Sequence, residues 1–522
     1  MQRPLGAQIS HMLRDRGVEV IFGIPGVHNQ EMYRGIEEAG ITHVLARHEQ
    51  GAGFMADGYA RATGNPGVAY VITGPGVCNV MTPMGQAYSD SVPLLVISSC
   101  LDETAATRGQ LHQMKDQRIA AATVCDWSEE ARTAEAAYAL IDRALGEFAL
   151  QRPRSKHIQV PIGALEALAA PAPAAGNTVA PWTIPPEASL AGFLSARKPL
   201  FVFGGGAVRA GYAARGVLRR LGAASFSTYA GRGVVSPDDP LSYGSMLARP
   251  DSARIIAEAD LVIAVGTELA ETDLWRRELG ATGDFVQVDI DPAGFAQPGA
   301  LNICCDAHVF LEWLSEHAAD HTPDTDWSAA DVAATRARWR SEIAAERPGI
   351  LPVCDALRAV LPEDVMIYSD MTQFAYAAKE VWDMDRPGQW HHPYGFGTLG
   401  YATPAAIGGA IGRKGQPTMA IIGDYGFHYT MQELGVAVEL GLNLPVLLWD
   451  NGKLGEIEDS MVRAQIAPNA VVAHNPDFCK LAEAFGARSA VPADLAALQQ
   501  AVLAAFEADG PTLIYVTPQI AA

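Results

Sequence analysis

The sequence is short of cysteine. Seven occur in 522 residues, at 78, 100, 125, 304, 305, 354 and 479, and no two have C-x-x-C spacing. Neither a cysteine-ligated zinc site nor a disulfide framework is expected from that pattern. A reducing cytoplasm is the expected compartment. Positive charge is also scarce, with 38 Lys and Arg against 59 Asp and Glu, a formal net charge of -21. Nucleic-acid binders carry basic faces, and anionic membranes attract polybasic segments, so neither is expected as a partner. Nor is there an apolar run of 18 residues. The opening MQRPLGAQISHMLRDRGVEV has no apolar core and no small-residue cleavage site. Neither a membrane span nor a secretory signal is expected on those grounds.

What the chain does have is a repeated rhythm of short apolar runs and longer amphipathic stretches. Two segments interrupt it: an Ala/Pro-rich one over 166–186 and a polar one over 316–329. A chain of this length exceeds one hydrophobic core. The interruptions therefore divide it into domains at 1–165, 187–315 and 330–522. GVAYVI (67–72) and PLLVIS (93–98) read as buried strands in the first domain. PLFVF (199–203), LVIAV (261–265) and FVQVDI (285–290) do so in the second. The third repeats the pattern in DVMIYSD (364–370), TMAIIGD (418–424), LPVLLWD (444–450) and TLIYVT (512–517). Unbroken apolar strands between helices indicate parallel sheets covered on both faces. The fold class is α/β, with three doubly wound parallel-sheet domains. Ligands of such sheets lie beyond the carboxyl ends of the strands.

The loop after TMAII reads Gly423-Asp424-Tyr425-Gly426-Phe427, with a helix expected from about Tyr429. Small residues admit a phosphate to the free N–H groups of a helix start. A carboxylate there suits Mg²⁺, a hard cation that bridges to phosphates. After the next strand comes Asp450-Asn451-Gly452-Lys453. One helix and one strand fit between the two loops, so they lie side by side. Asp424, Asn451 and the Lys453 carbonyl form the candidate metal set. The first domain carries RHEQGAGFMADGYARATG (47–64), with Glu49 between a strand and a helix of small residues.

Together these strings resemble the thiamine-diphosphate enzymes, in the branch of acetolactate synthases and 2-oxo acid decarboxylases. The first domain then binds the pyrimidine, the third binds diphosphate and Mg²⁺, and the middle one is Rossmann-like. The two loops are similar to the family's GDG…NN motif, with Asp450 replacing the first Asn. The resemblance makes Glu49 the residue that holds a proton at N1′ of the aminopyrimidine. Burial should fit its carboxyl for that exchange. It implies cofactor contacts at Pro25, Thr73, Pro75 and Asn79 in the first domain. In the third it implies Thr372, Gln373, Gly397, Gly423, Tyr425, Gly426, Leu454, Gly455, Glu456 and Ile457. Leu399, within GFGTLGYATPAAIGGAIG (395–412), falls where the family keeps the apolar residue that folds the cofactor. In this family the cofactor lies between chains. A homodimer is therefore the minimum and a homotetramer the expected assembly.

The cofactor does the hard chemistry, and the protein selects what reaches it. After CO₂ leaves, a proton gives an aldehyde, whereas a second 2-oxo acid gives an acetohydroxy acid. Three features favour the aldehyde. The chain ends five residues after TLIYVT, without the synthases' C-terminal lid. Ser460 falls at or near the position of their pocket Trp. GTELAETDLW (266–275) stands where their flavin loop is basic, which argues against bound FAD. The strings FGIPGVHNQEMYRGI (22–36), RGQLHQMKDQR (108–118), GTELAETDLW and HHPYGFGTLGYATPAAIG (391–408) are most similar to the 5-guanidino-2-oxopentanoate decarboxylases. A cationic tail would want a carboxylate. Glu456 and Glu458 are the first candidates and Asp450 a further one. His28, His112, His391 and His392 are the candidate proton carriers, with Gln113 beside His112. An acetolactate synthase-like carboligase is the alternative. Gly204-Gly205-Gly206-Ala207-Val208 follows a strand but lacks G-x-G-x-x-G spacing, so it is weak support for a dinucleotide site.

Overall fold

The computed structural model describes residues 1–103, 109–175, 190–295 and 299–521. Most of the expected 166–186 linker, the first three residues of the middle domain, Arg108 and the last residue of the third domain lie outside them. Three parallel sheets carry the described chain. The first runs Thr42–Leu45, Val20–Gly23, Gly67–Val71, Leu94–Cys100, Lys156–Pro161, Trp127–Glu130 in spatial order. The middle one runs Ala224–Ser227, Pro199–Phe203, Leu261–Val265, Asp284–Asp289, Leu301–Cys304. The third runs Trp390–His391, Met366–Ser369, Thr418–Gly423, Pro445–Trp449, Thr512–Val516, Arg488–Ala490. A two-residue antiparallel pair, Arg3–Pro4 with Leu168–Ala169, closes the first domain.

The strands form where β-branched and aliphatic residues run without a polar break. Every residue of Leu261–Val265 and of Pro445–Trp449 is buried. Side chains on both faces of each strand therefore pack under helices, as a doubly wound layer requires. Several helices start on side-chain caps: Thr133, Asp306, Ser328 and Asp494 each accept a backbone N–H of the first turn. Such a cap contributes about 1 kcal/mol. Among the described residues no helix is long and apolar enough to cross a membrane.

Two features position the site. In the first sheet, successive strands leave Val20–Gly23 on opposite sides, to Thr42–Leu45 and then to Gly67–Val71. In the third, they leave Met366–Ser369 on opposite sides, to Trp390–His391 and then to Thr418–Gly423. These are topological switch points, where the loops part and leave a crevice. The second feature joins the two domains. Helix Glu49–Thr63 packs on helix Ala402–Arg413 through glycines. A Cβ on Gly58 would stand 1.9 Å from the Ala405 carbonyl oxygen, and one on Gly408 1.8 Å from that of Met55. The buried Tyr368 hydroxyl donates to the Gly58 carbonyl at 2.7 Å, and that of Tyr401 to Asp57 at 2.7 Å.

Candidate active site

Glu49 is the first residue of its helix and is buried, 8% exposed. The His48 side chain caps the helix by accepting from the Gln50 N–H. The half-buried Asn79 donates to Glu49 Oε2 at 2.9 Å. Around this pair lie Val71, Ile72 and Gly76, where a Cβ would sit 3.4 Å from Glu49 Oε1. Thr73 is buried, and its hydroxyl and N–H both meet Ser99 Oγ. Pro75 starts the following helix, exposed on the crevice side of the strand ends. The Gly74 N–H donates to Gln117, whose amide is itself held by Ser98, Ser99 and Gln159. Gly74 has φ +69, and a Cβ there would lie 2.4 Å from the His112 carbonyl oxygen. Glycine is therefore required for the 112 loop to close on the 73–75 loop.

That closure brings two of the four candidate histidines together. His28 and His112 meet edge to face, ring centroids 4.9 Å apart, and the Nδ1 of each is buried without a hydrogen-bond partner. Burial, then the neighbouring His112, lowers the pKa of His28. Pro25 is exposed beside them, and Gln113 folds back on Gln110. The other two are elsewhere. His391 and His392 are buried in the third domain, and burial drives both pKa values well down. His392 shares a hydrogen bond with Ser369 Oγ at 2.9 Å. The Nε2 of both His391 and His392 is buried without a hydrogen-bond partner.

In the third domain the helix after TMAIIG begins at Asp424, five residues before the expected start, because the Gly423 loop turns directly into it. Asp424 is buried, and burial, with Asp450 close by, raises its pKa. Asn475 Nδ2 lies between the two carboxylates, 2.8 Å from Asp424 Oδ2 and 3.0 Å from Asp450 Oδ1. Asp450 is otherwise taken up by the Gly452 N–H and the Tyr515 hydroxyl. It braces the loop rather than offering a free carboxylate to a substrate. Asn451 donates to Gln373 Oε1 at 3.0 Å, and Gln373 donates to Asp459 at 3.1 Å. Among the described residues no group of three His, Cys, Asp or Glu could hold a metal. The candidate donors are one carboxylate with amide and backbone oxygens, a hard set of the kind Mg²⁺ takes.

Glycine lines the crevice. A Cβ on Gly423 would meet Thr372 at 3.1 Å, one on Gly426 Asp370 at 2.9 Å, and one on Gly455 Gln373 at 2.5 Å. Tyr425 is half-buried next to them, and Leu454 precedes helix Gly455–Arg463. Buried Asp370 accepts from the N–H groups of Met371 and Gly400. It thereby pins the turn that includes Gly397 (φ +65) and Leu399. Leu399 is half-buried and belongs to none of the core clusters. Asp370 and Asn475 carry no motif of their own and were not anticipated. Only the chain's return over the metal loop brings Asn475 there.

The acidic candidates for a cationic tail are already engaged. Glu456 accepts from the Arg347 guanidinium at 3.0 Å, and Glu458 pairs with Lys453. Ile457 between them is exposed. Glu268 of the acidic middle-domain loop forks onto Arg152 at 2.7 and 2.9 Å, tying the middle domain to the first.

Family models for the thiamine pyrophosphate enzymes match all three domains. The N-terminal TPP binding domain covers residues 3–119, the central domain 188–314 and the C-terminal TPP binding domain 370–516. The chain belongs to the thiamine diphosphate enzymes. It is 44% identical to the probable 2-ketoarginine decarboxylase AruI of Pseudomonas aeruginosa, over 98% of this chain and 93% of that protein. It is 28% identical to the large subunit of acetolactate synthase isozyme 2 of Escherichia coli, over 98% and 95%. Identity to the isozyme 1 large subunit is 26%, over 99% and 94%. Both sides of the described site, Glu49 with Asn79 and Asp424 with Asn451, fall inside matched segments of this thiamine diphosphate enzyme.

Proposed function

We propose that this thiamine diphosphate enzyme decarboxylates 5-guanidino-2-oxopentanoate to its aldehyde and CO₂, without oxidation, with Mg²⁺ holding the diphosphate. The observation that carries the reading is the buried Glu49 carboxyl, oriented by Asn79 at a switch point. Near-full-length similarity to a probable 2-ketoarginine decarboxylase supports the substrate.

The diphosphate would lie against the backbone at Gly423, Gly426 and Gly455, beside Thr372, Gln373 and Tyr425. Asp424, Asn451 and the Lys453 carbonyl would hold Mg²⁺. Leu399, with Gly397, Leu454, Glu456 and Ile457, would hold the cofactor in the third domain, and Pro25, Thr73 and Pro75 would line the pyrimidine side. Bound thiamine diphosphate supplies an electron sink for the pair released as CO₂ leaves. Glu49 holds a proton at the pyrimidine nitrogen and returns it. His28 and His112, with Gln113, carry the proton that completes the aldehyde. Burial of Glu49 keeps water from competing for that proton.

We infer that each cofactor is shared by two chains, as a homodimer at least and a homotetramer as the full assembly. The acidic 266–275 loop argues against FAD. Seven free cysteines support a cytoplasmic location. We infer domains over 1–165, 187–315 and 330–522, with the Leu168–Ala169 pair as a short extension of the first.

The test is turnover with added thiamine diphosphate and Mg²⁺, following CO₂ and the organic product by mass. The panel is pyruvate, 2-oxobutyrate, benzoylformate, 2-oxoglutarate and 5-guanidino-2-oxopentanoate. Fast conversion of the guanidino acid to its aldehyde, lost in Glu49→Gln, is expected. The acetolactate synthase relatives motivate the one competing outcome. Acetolactate formed from pyruvate would replace the decarboxylase with a carboligase.

A further inference from the structure

Glu433 belongs to no motif noted above, yet it is fully buried against the helix that Glu49 begins. It ends the short turn Met431–Glu433, which continues directly from helix Asp424–Thr430. Its carboxylate crosses to the first domain of the same chain. There it accepts the Arg47 N–H, at 3.2 Å to Oε1 and 3.1 Å to Oε2, and the His48 N–H. Those amides precede Glu49 by two residues and one. Gly51, on the first turn, makes room for the contact: a Cβ there would stand 2.3 Å from Glu433 Oε1 and 2.4 Å from its carboxyl carbon. The Arg47 side chain is held as well, by Glu439 and by the Leu45 carbonyl.

We propose that Glu433 is a positioning residue for Glu49. Its carboxylate takes the amides leading into the helix and fixes where the Glu49 carboxyl stands. The inference rests on the reading of Glu49 as the group that exchanges a proton with the cofactor. Amides at a helix entry have no partner within the helix, so a carboxylate is the natural acceptor. The alternative is plain burial of an acid at a domain junction. That would leave the side chain without so specific a pair of donors and without a glycine shaped to its end. Arg47, His48 and Glu49 face Glu433 from the first domain, and Glu439 lies on the far side of Arg47. Burial raises the Glu433 pKa to about 7, the two amides oppose the rise, and nearby Glu49 adds to it.

The test uses the assembled enzyme with Glu433→Gln, Glu433→Ala and Gly51→Ala. Gly51→Ala keeps the carboxyl but pushes it off the amides. Three results are expected. In the apo-enzyme, hydrogen exchange at the Arg47 and His48 amides quickens in all three variants. With saturating thiamine diphosphate and Mg²⁺, kcat falls by about 10- to 100-fold, the order expected when a catalytic group is displaced by roughly 1 Å. On a Glu49→Gln background, Glu433→Gln adds little further loss. Unchanged amide exchange overturns the proposal, as does a melting temperature that drops while kcat per folded enzyme stays as wild type. Full additional loss on the Glu49→Gln background also overturns it. If the wild-type enzyme turns over no 2-oxo acid, the function above fails separately, and the exchange data still report on Glu433.

Discussion

Gly408→Ala should damage both stability and turnover, although residue 408 touches no candidate site residue. The added Cβ would start 1.8 Å from the Met55 carbonyl oxygen, where contacts under 3.0 Å are essentially never found. Helix Ala402–Arg413 and helix Glu49–Thr63 must therefore part by at least about 1.2 Å. Neither element is a flexible side chain that could swing aside. Overpacking of this kind costs about 1–3 kcal/mol. The retreat also strains the bonds from Tyr368 to Gly58 and from Tyr401 to Asp57. The first contributes about 1 kcal/mol and the second, to a carboxylate, about 1.5–3. A loss of several kcal/mol is expected, read as a lower melting temperature of the apo-enzyme. The same movement carries Glu49 with its helix, and a displacement near 1 Å can cost about 100-fold in kcat. The assay compares melting and kcat, at saturating cofactor, for wild type, Gly408→Ala and Gly415→Ala. Gly415 has open space where its Cβ would be, and its positive φ makes it a control for backbone strain alone. Wild-type melting and kcat in Gly408→Ala would refute the close helix contact and, with it, the idea that the two domains fix Glu49 together.

Asn475→Ala removes the one donor between Asp424 and Asp450, so about 1.5–3 kcal/mol of apo-enzyme stability should go. A fall in apo melting temperature no larger than for a surface Asn→Ala control would show that the bridge contributes nothing. His157 lies fully buried between Ser98 and Ser128, and burial lowers its pKa to about 3. Its unfolded value is near 6.5, so the unfolded chain binds the extra proton between pH 6.5 and 3. Stability from this residue is full above about pH 6.5 and is lost as pH falls, by up to about 1.4 kcal/mol per unit. His157→Asn should melt with a shallower pH dependence than wild type between pH 6.5 and 4. Parallel curves would mean that His157 does not remain neutral in the folded protein.

The sheets were legible because each strand is a continuous apolar run, and a run such as LVIAV has one stable use between helices. The Gly423 loop, the Asn451 loop and Glu49 were legible for a related reason, since each sits at a strand end with its chemistry in consecutive residues. The helix after Gly423 was placed late because Tyr425, Gly426 and Phe427 are weak helix formers in isolation. The direct turn out of strand Thr418–Gly423 and the sheet beneath override that preference. The acids at 456 and 458 looked available because sequence shows charge but not pairing. Arg347, 109 residues away, supplies the Glu456 partner.

The residues that escaped notice share a property. Asp370, Glu433 and Asn475 act through backbone amides or through a neighbour's carboxylate, so no residue type at a fixed spacing announces them. Glu433 and Arg47 are 386 positions apart, and only the packing of two domains makes them partners. The site therefore divides by how it is encoded. The groups that would touch the cofactor are written locally, at strand ends, where a loop needs only a few residues to present them. The groups that hold those residues still are written globally, in the surfaces that bury one domain against another. A substitution at Glu433 or Gly408 should thus change the chemistry without altering any residue that performs it.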